Sequence, residues 1–144
     1  MENITAIFVY GTLKTGQCRE RCWPLVPKSR CKAWTYGELY DTGPYPALIP
    51  GTDQVGGELW FYATEDTPDV FDVLDKIEDY SPQRPSGNLY DRRVVECHIE
   101  NGDVVKAYAY HYARLEELPR FRKVQPHYLR GNLRLAVWPD GSDW

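Results

Sequence analysis

Apolar and polar positions alternate in short runs along most of this chain, and one stretch carries a clear helical period. Residues 5–10 form a brief apolar run that stops at Tyr10-Gly11, the length of a short strand. KAWTYGELY (32–40) and VGGELWFY (55–62) are aromatic-rich, strand-like and share Gly-Glu-Leu-aromatic. A glycine inside such a run predicts a bulge or sharp bend. The helical stretch is TPDVFDVLDKIEDY, where Val70, Phe71, Leu74 and Ile77 make one apolar face. Thr67 suits its N-cap and Pro68 its first position, and Pro82 predicts its end near Tyr80. Residues 17–26 read as a short second helix ended by Pro24 or Pro27. RRVVECHIENGDVVKAYAYHY reads as a hairpin turning at Asn101-Gly102 as a two-residue type I′ loop. That register sets Val95 opposite Tyr108 and Arg93 opposite Tyr110.

From Ala113 onward the pattern weakens, and Pro119, Pro126 and Pro139 punctuate a tail ending WPDGSDW. The tail reads as an irregular C-terminal segment, 113–144, packing on the rest. At 144 residues the chain is expected to form one domain, 1–144. The fold class is mixed α/β, mainly β: a small closed β-barrel with one or two short helices. Its strands are read as antiparallel, and closure removes exposed edges.

Charge and cysteine content narrow the function classes. A net charge of −4 argues against nucleic acid as a partner. The late basic cluster of Arg120, Arg122, Lys123, Arg130 and Arg134 reads as a solvated face. No run approaches the roughly 18 apolar residues of a membrane span. The N-terminus MENITAIFVYG lacks signal-peptide architecture, so a cytoplasmic protein with no membrane partner is expected. Cys18, Cys22, Cys31 and Cys97 fit no common zinc spacing and read as small buried or half-buried thiols.

Two places suggest chemistry. A bare strand end such as Tyr10-Gly11-Thr12-Leu13 allows successive backbone N–H groups to face one space, a nest for a small anion. Gly11 and Gly16 have the spacing of a phosphate loop, but Gln17-Cys18 follows where Lys-Ser/Thr is required. A tight turn after an edge strand is the other reading of the same residues. At the helix end, Asp75, Glu78 and Asp79 fall at i, i+3 and i+4. Mutual repulsion and the negative end of the helix dipole predict a raised carboxylate pKa there, suited to a general acid/base. A solvated helix tip is the plain alternative. Neither the serines (Ser29, Ser81, Ser86, Ser142) nor the histidines (His98, His111, His127) form a nucleophile or metal pattern. A carboxylate enzyme with an anion-binding loop and a plain binding barrel both stay open.

Taken in order, several short motifs resemble the gamma-glutamylcyclotransferase-like family. They are Tyr10-Gly11-Thr12-Leu13, the strands GELYDTGPYPAL and VGGELWFY, Leu74-Asp75-Lys76-Ile77-Glu78-Asp79-Tyr80, Tyr90-Asp91-Arg92, AYAY at 107–110 and the closing GSDW. The resemblance implies a small mixed barrel that uses no metal or cofactor. It implies release of 5-oxoproline from a small gamma-glutamyl compound by attack of the substrate's own α-amino group. It further implies that the N–H groups of Gly11, Thr12 and Leu13 hold the α-carboxylate and that Glu78 is the general acid/base. Tyr110 is then a candidate to bond the glutamyl group or steady Glu78, and Tyr10 to shape the pocket wall. Thr12 in place of serine keeps the hydroxyl, whereas Asp79 stands where a small residue is frequent and would narrow the entrance. A non-catalytic barrel binding a small carboxylate metabolite or a protein partner is the alternative. The leaving group and the oligomeric state are not set by these motifs.

Overall fold

Residues 4–84 and 86–144 are described by the computed structural model; residues 1–3, part of the stretch read for a signal peptide, and Pro85 lie outside them. The first strand, β1 (Ala6–Val9), is buried along its whole length because both its faces are covered. Ala6 and Phe8 face the barrel interior with Leu39, Leu48, Val55, Leu59 and Cys97. Ile7 and Val9 face outward, under Val70, Phe71 and Leu74 of the helix. A strand covered on both sides reads as a continuous apolar run, which is why it stands out in the sequence.

Two long strands follow, β2 (Ser29–Asp41) and β3 (Pro46–Phe61), paired as a hairpin. Their register shifts between Gly37 and Glu38, the bend that a glycine in that run predicts. The strands β4 (Tyr90–Ile99) and β5 (Val104–Tyr112) make a second hairpin. The five close into a barrel in the ring order β1, β3, β2, β4, β5. The fold is mainly β with one α-helix, α1 (Thr67–Ile77).

The barrel is not wholly antiparallel. At the seam between β1 and β5 the strands run parallel, with Ile7 beside Tyr108. Parallel neighbours run toward the same end, so the chain leaves β1 and β5 on one side of the barrel. There the Tyr10 hydroxyl donates to the Tyr110 carbonyl. An antiparallel seam would have put these two residues at opposite ends.

The register of the second hairpin also differs by one residue: Arg92 pairs with Tyr110, Val94 with Tyr108 and Val95 with Ala107. A type I′ turn needs positive φ at both Asn101 and Gly102, and only Gly102 has it, at 94°. The loop is three residues long instead. The Gly102 N–H donates to the Ile99 carbonyl at 3.0 Å and the Ile99 N–H to the Asp103 carbonyl at 3.1 Å. The Asn101 side chain accepts from the Asp103 N–H at 2.8 Å. A one-residue slip exchanges the faces of the ribbon, so Arg92 and not Arg93 stands beside Tyr110.

The helix limits shift as well. A 3-10 turn, Thr64–Asp66, leads in, so Thr67 is the first helical residue and not the cap. Its hydroxyl donates back to the Ala63 carbonyl at 2.9 Å. The expected helix at 17–26 is only a 3-10 turn, Glu20–Cys22. The tail is less irregular than its sequence implies. After the 3-10 stretch Leu115–Arg120 it supplies β6 (Arg122–Val124) on β2, and a small hairpin of β7 (Tyr128–Arg130) and β8 (Leu133–Ala136) whose second strand lies parallel to β3. Runs of three or four residues are too short to show a period, so only tertiary pairing reveals them.

Cys97 is buried, with its thiol pushed up to about 12 by burial, and Cys31 is half-buried. Cys18 and Cys22, by contrast, are exposed. In the basic cluster, Arg122 pairs with Asp140 at 2.7 Å, Lys123 with Asp53 at 3.2 Å and Arg130 with Glu100 at 3.3 Å. Arg120 and Arg134 of that cluster are exposed. Among the described residues no helix is long and apolar enough to cross a membrane.

Candidate active site

Past Val9 the ladder of β1 ends, and the backbone of the next residues has no strand to pair with. Residues 10–14 are nonetheless buried. The segment folds on itself: the Lys14 N–H donates to the Gly11 carbonyl at 3.0 Å and the Arg19 N–H to the Thr12 carbonyl at 2.8 Å. These bonds use carbonyls. No described residue accepts from the N–H groups of Gly11, Thr12 or Leu13. Three successive donors in a buried segment, without protein acceptors, have the chemistry of an anion nest. Lys14 anchors the loop from behind, its Nζ donating to the Trp138 carbonyl. Burial lowers that lysine to about 8.

Opposite the loop is the end of α1, and its termination decides where Glu78 points. Asp79 takes the left-handed conformation, with φ of 53°. The Tyr80 N–H then donates to the Asp75 carbonyl at 2.8 Å and the Asp79 N–H to the Lys76 carbonyl at 3.3 Å. This is a Schellman closure, normally given to glycine. It stops the helix at Ile77, earlier than Pro82 would, and leaves Glu78 as the capping residue. Glu78 lines a cavity together with Tyr10, Gly11, Thr12, Leu13 and Tyr110. All six residues singled out in the sequence therefore meet in one place.

The three helix-end carboxylates do not form a cluster. Asp79 pairs with Arg84 at 3.0 Å and with Arg114 at 3.9 Å. Asp75 lies on another side, paired with Arg92 at 3.2 Å. Glu78 alone enters the cavity, and its carboxylate takes no hydrogen bond from any described residue. Its pKa is raised from 4.5 to about 7 because burial strips it of water, with Arg19 opposing part of the rise. The direction matches the expectation from sequence; the cause does not. Repulsion between neighbouring carboxylates plays no part, since Asp75 and Asp79 each have cations of their own.

Tyr110 lines the cavity, but its hydroxyl donates to Asp75 Oδ1 at 2.7 Å and not to Glu78. The observed hairpin register explains this. Arg92 and Tyr110 are cross-strand partners, so both reach Asp75 from one face of the ribbon. Arg92 is further held over the rings of Phe71 at 4.3 Å and Tyr108 at 5.2 Å. Asp75 thus holds the Tyr110 side chain in place. Replacing Asp75 with asparagine should cost about 1–3 kcal/mol of stability in denaturant titrations, because a largely buried Arg92 loses its carboxylate. Arg19 and Tyr90 also line the cavity, and neither was apparent from spacing. Tyr90 donates to the Pro46 carbonyl at 2.5 Å, holding the start of β3 against the site. Arg19 sits in a loop with no periodic pattern, so nothing local marks it.

Comparison with known proteins bears on the family and the fold. The chain matches a family model described as gamma-glutamyl cyclotransferase, AIG2-like, over residues 7–137. It is 34% identical over 110 residues to gamma-L-glutamyl-butirosin B gamma-glutamyl cyclotransferase of Niallia circulans, covering 75% of this chain and 67% of the relative. Among solved structures, an AIG2-like protein of Mus musculus matches with a TM-score of 0.62 at 24% identity, over 98% of this chain and 99% of that one. YkqA of Bacillus subtilis matches with a TM-score of 0.57 at 18% identity, over 83% of this chain but 37% of its own length. These two structural likenesses concern the fold alone.

Proposed function

The chain belongs to the AIG2-like gamma-glutamyl cyclotransferase family, and we propose that it releases 5-oxoproline from a gamma-glutamyl amine or amino acid, with Glu78 as general acid/base. The observation that carries this reading is the pairing in one cavity of a half-buried glutamate without hydrogen-bond partners and three free backbone donors. In the proposed complex the N–H groups of Gly11, Thr12 and Leu13 take the substrate's α-carboxylate. The α-ammonium then faces Glu78.

Glu78 removes a proton from the ammonium, and the freed amine attacks the γ-carbonyl carbon within the same molecule. The new C–N bond closes the five-membered lactam. The bond from the γ-carbon to the departing nitrogen breaks as Glu78 returns its proton to that nitrogen, and the second proton shed by the attacking nitrogen passes by way of Glu78 to the released amine, which leaves as its ammonium. Holding the substrate folded supplies the proximity that replaces an enzyme nucleophile. The tuning of Glu78 has a magnitude. An α-ammonium has a pKa of about 8 and an ordinary glutamate about 4.3, so the first transfer would cost about 5 kcal/mol uphill. With Glu78 near 7, the same step costs about 1–2 kcal/mol.

The base form is the carboxylate, so kcat/KM should rise with pH through about 7 and fall tenfold per unit on the acid side. A pH–rate profile checks this; an acid limb centred near 4 would remove the tuning from the mechanism. The reaction itself is tested by assaying 5-oxoproline release from gamma-glutamyl amino acids, glutathione and gamma-glutamyl amines. The name of the Niallia circulans relative adds gamma-L-glutamyl-butirosin B to that panel. Binding of these compounds without release from any of them would favour a carboxylate-binding barrel instead.

A further inference from the structure

Two charged side chains line the cavity, and they carry opposite signs: Glu78 and Arg19. The reaction proposed above uses the first and leaves the second unexplained. Arg19 is half-buried, and its backbone is bonded to Thr12 at 2.8 Å, so it moves with the anion-binding loop. Its guanidinium makes no hydrogen bond or ion pair with any described residue. Among the described residues Arg30 pairs with Glu20, Arg84 with Asp79, Arg92 with Asp75 and Arg122 with Asp140, and the arginines that share Arg19's lack of an ion pair, Arg21, Arg120 and Arg134, are exposed to water where Arg19 is half-buried. Partial withdrawal of a guanidinium from water without a carboxylate partner is unfavourable. At the cavity wall it leaves the five donors of a guanidinium without an acceptor from the described residues.

A gamma-glutamyl group presents one carboxylate and one ammonium on the same carbon. A cavity with one cation and one anion matches that zwitterion charge for charge. We infer that Arg19 completes the carboxylate site, joining the N–H groups of Gly11, Thr12 and Leu13 on the substrate's α-carboxylate while Glu78 takes the ammonium. Arg19 is then a determinant of specificity for a free α-carboxylate. Its proximity to Glu78, which lowers the glutamate's pKa, agrees with this placement, because the two substrate charges are separated by one carbon. The inference rests on the gamma-glutamyl reading of the cavity.

The test needs no turnover. Binding of 5-oxo-L-proline and of its uncharged amide is measured by NMR titration for the wild type, Arg19→Met and Arg19→Lys. The wild type should prefer the acid about 10- to 100-fold, the range of a charge-assisted hydrogen bond. Arg19→Met should lose most of that preference by weakening the acid alone, and Arg19→Lys should restore part of it. A wild type without the preference, or a methionine variant that keeps it, overturns the assignment.

In turnover, Arg19→Met should raise KM by the same factor for gamma-glutamyl amines and gamma-glutamyl amino acids. A rise confined to leaving groups with their own carboxylate overturns the assignment and moves Arg19 to the leaving group. An unchanged KM with a displaced acid limb overturns it too, reducing Arg19 to a partner of Glu78. An intact acid preference with no 5-oxoproline from any substrate leaves Arg19 standing and sinks the reaction.

Discussion

Replacing Glu78 with glutamine should lower kcat/KM for 5-oxoproline release by about 10²- to 10⁴-fold, the range of a lost general acid/base. It should also stabilise the folded chain above pH 7. The second effect follows from the raised pKa. Below pH 4.5 Glu78 is protonated both folded and unfolded, so it has no charge-linked effect on stability. Between 4.5 and about 7 the unfolded chain releases this proton while the folded chain retains it, and stability falls as pH rises. Above pH 7 the full penalty of an ionised, desolvated carboxylate is present, about 3 kcal/mol. Glutamine carries no charge and removes that penalty. Thermal melts of both proteins at pH 8 and pH 4.5 check this: the variant should melt higher at pH 8, and the gap should close on acidification. An inactive variant that is also less stable at pH 8 would mean a structural role for Glu78. An active variant would end the proposed mechanism.

Substituting alanine for Gly11 should reduce kcat/KM by about 10²-fold, the effect of misplacing a positioning group by roughly 1 Å. A Cβ there would stand 2.5 Å from Pro46 Cγ and 2.7 Å from Cδ. Neither neighbour gives easily. The proline ring is rigid, and the carbonyl of Pro46 is held by Tyr90. The loop therefore shifts, and its three N–H groups move off the carboxylate. The strain should cost about 1–3 kcal/mol, as for an overfilled core. Chemical denaturation and steady-state kinetics together separate the two consequences. A stable variant with unchanged KM and kcat would show that the backbone at Gly11 does not hold substrate.

The legibility of this protein differs from one element to another. β1 is visible because it is covered on both faces and so apolar throughout. The helix is visible because Val70, Phe71, Leu74 and Ile77 keep a helical period against the barrel. The strand glycines are visible because a bend requires them. Less visible is the hairpin register, since Asn-Gly suits a two-residue loop and the three-residue loop actually used equally well. Its choice depends on which face of β5 packs against the helix, which is a long-range matter. The short strands of the tail are invisible for the same reason.

At the site, the residue types carried the chemistry and tertiary structure assigned the roles. A bare Tyr-Gly-Thr-Leu after an apolar strand, and a glutamate at the end of an amphipathic helix, follow from local preference, and the sequence alone determined that both exist. That they face each other depends on the parallel seam between β1 and β5 and on the left-handed turn at Asp79. The hairpin register gave Tyr110 to Asp75, cations from other elements drew Asp75 and Asp79 away from Glu78, and a backbone bond to Thr12 holds Arg19 at the cavity. Backbone propensities act over a few residues, whereas desolvation and charge pairing depend on whatever the rest of the chain brings close. The ionisation of Glu78 is a property of the second kind.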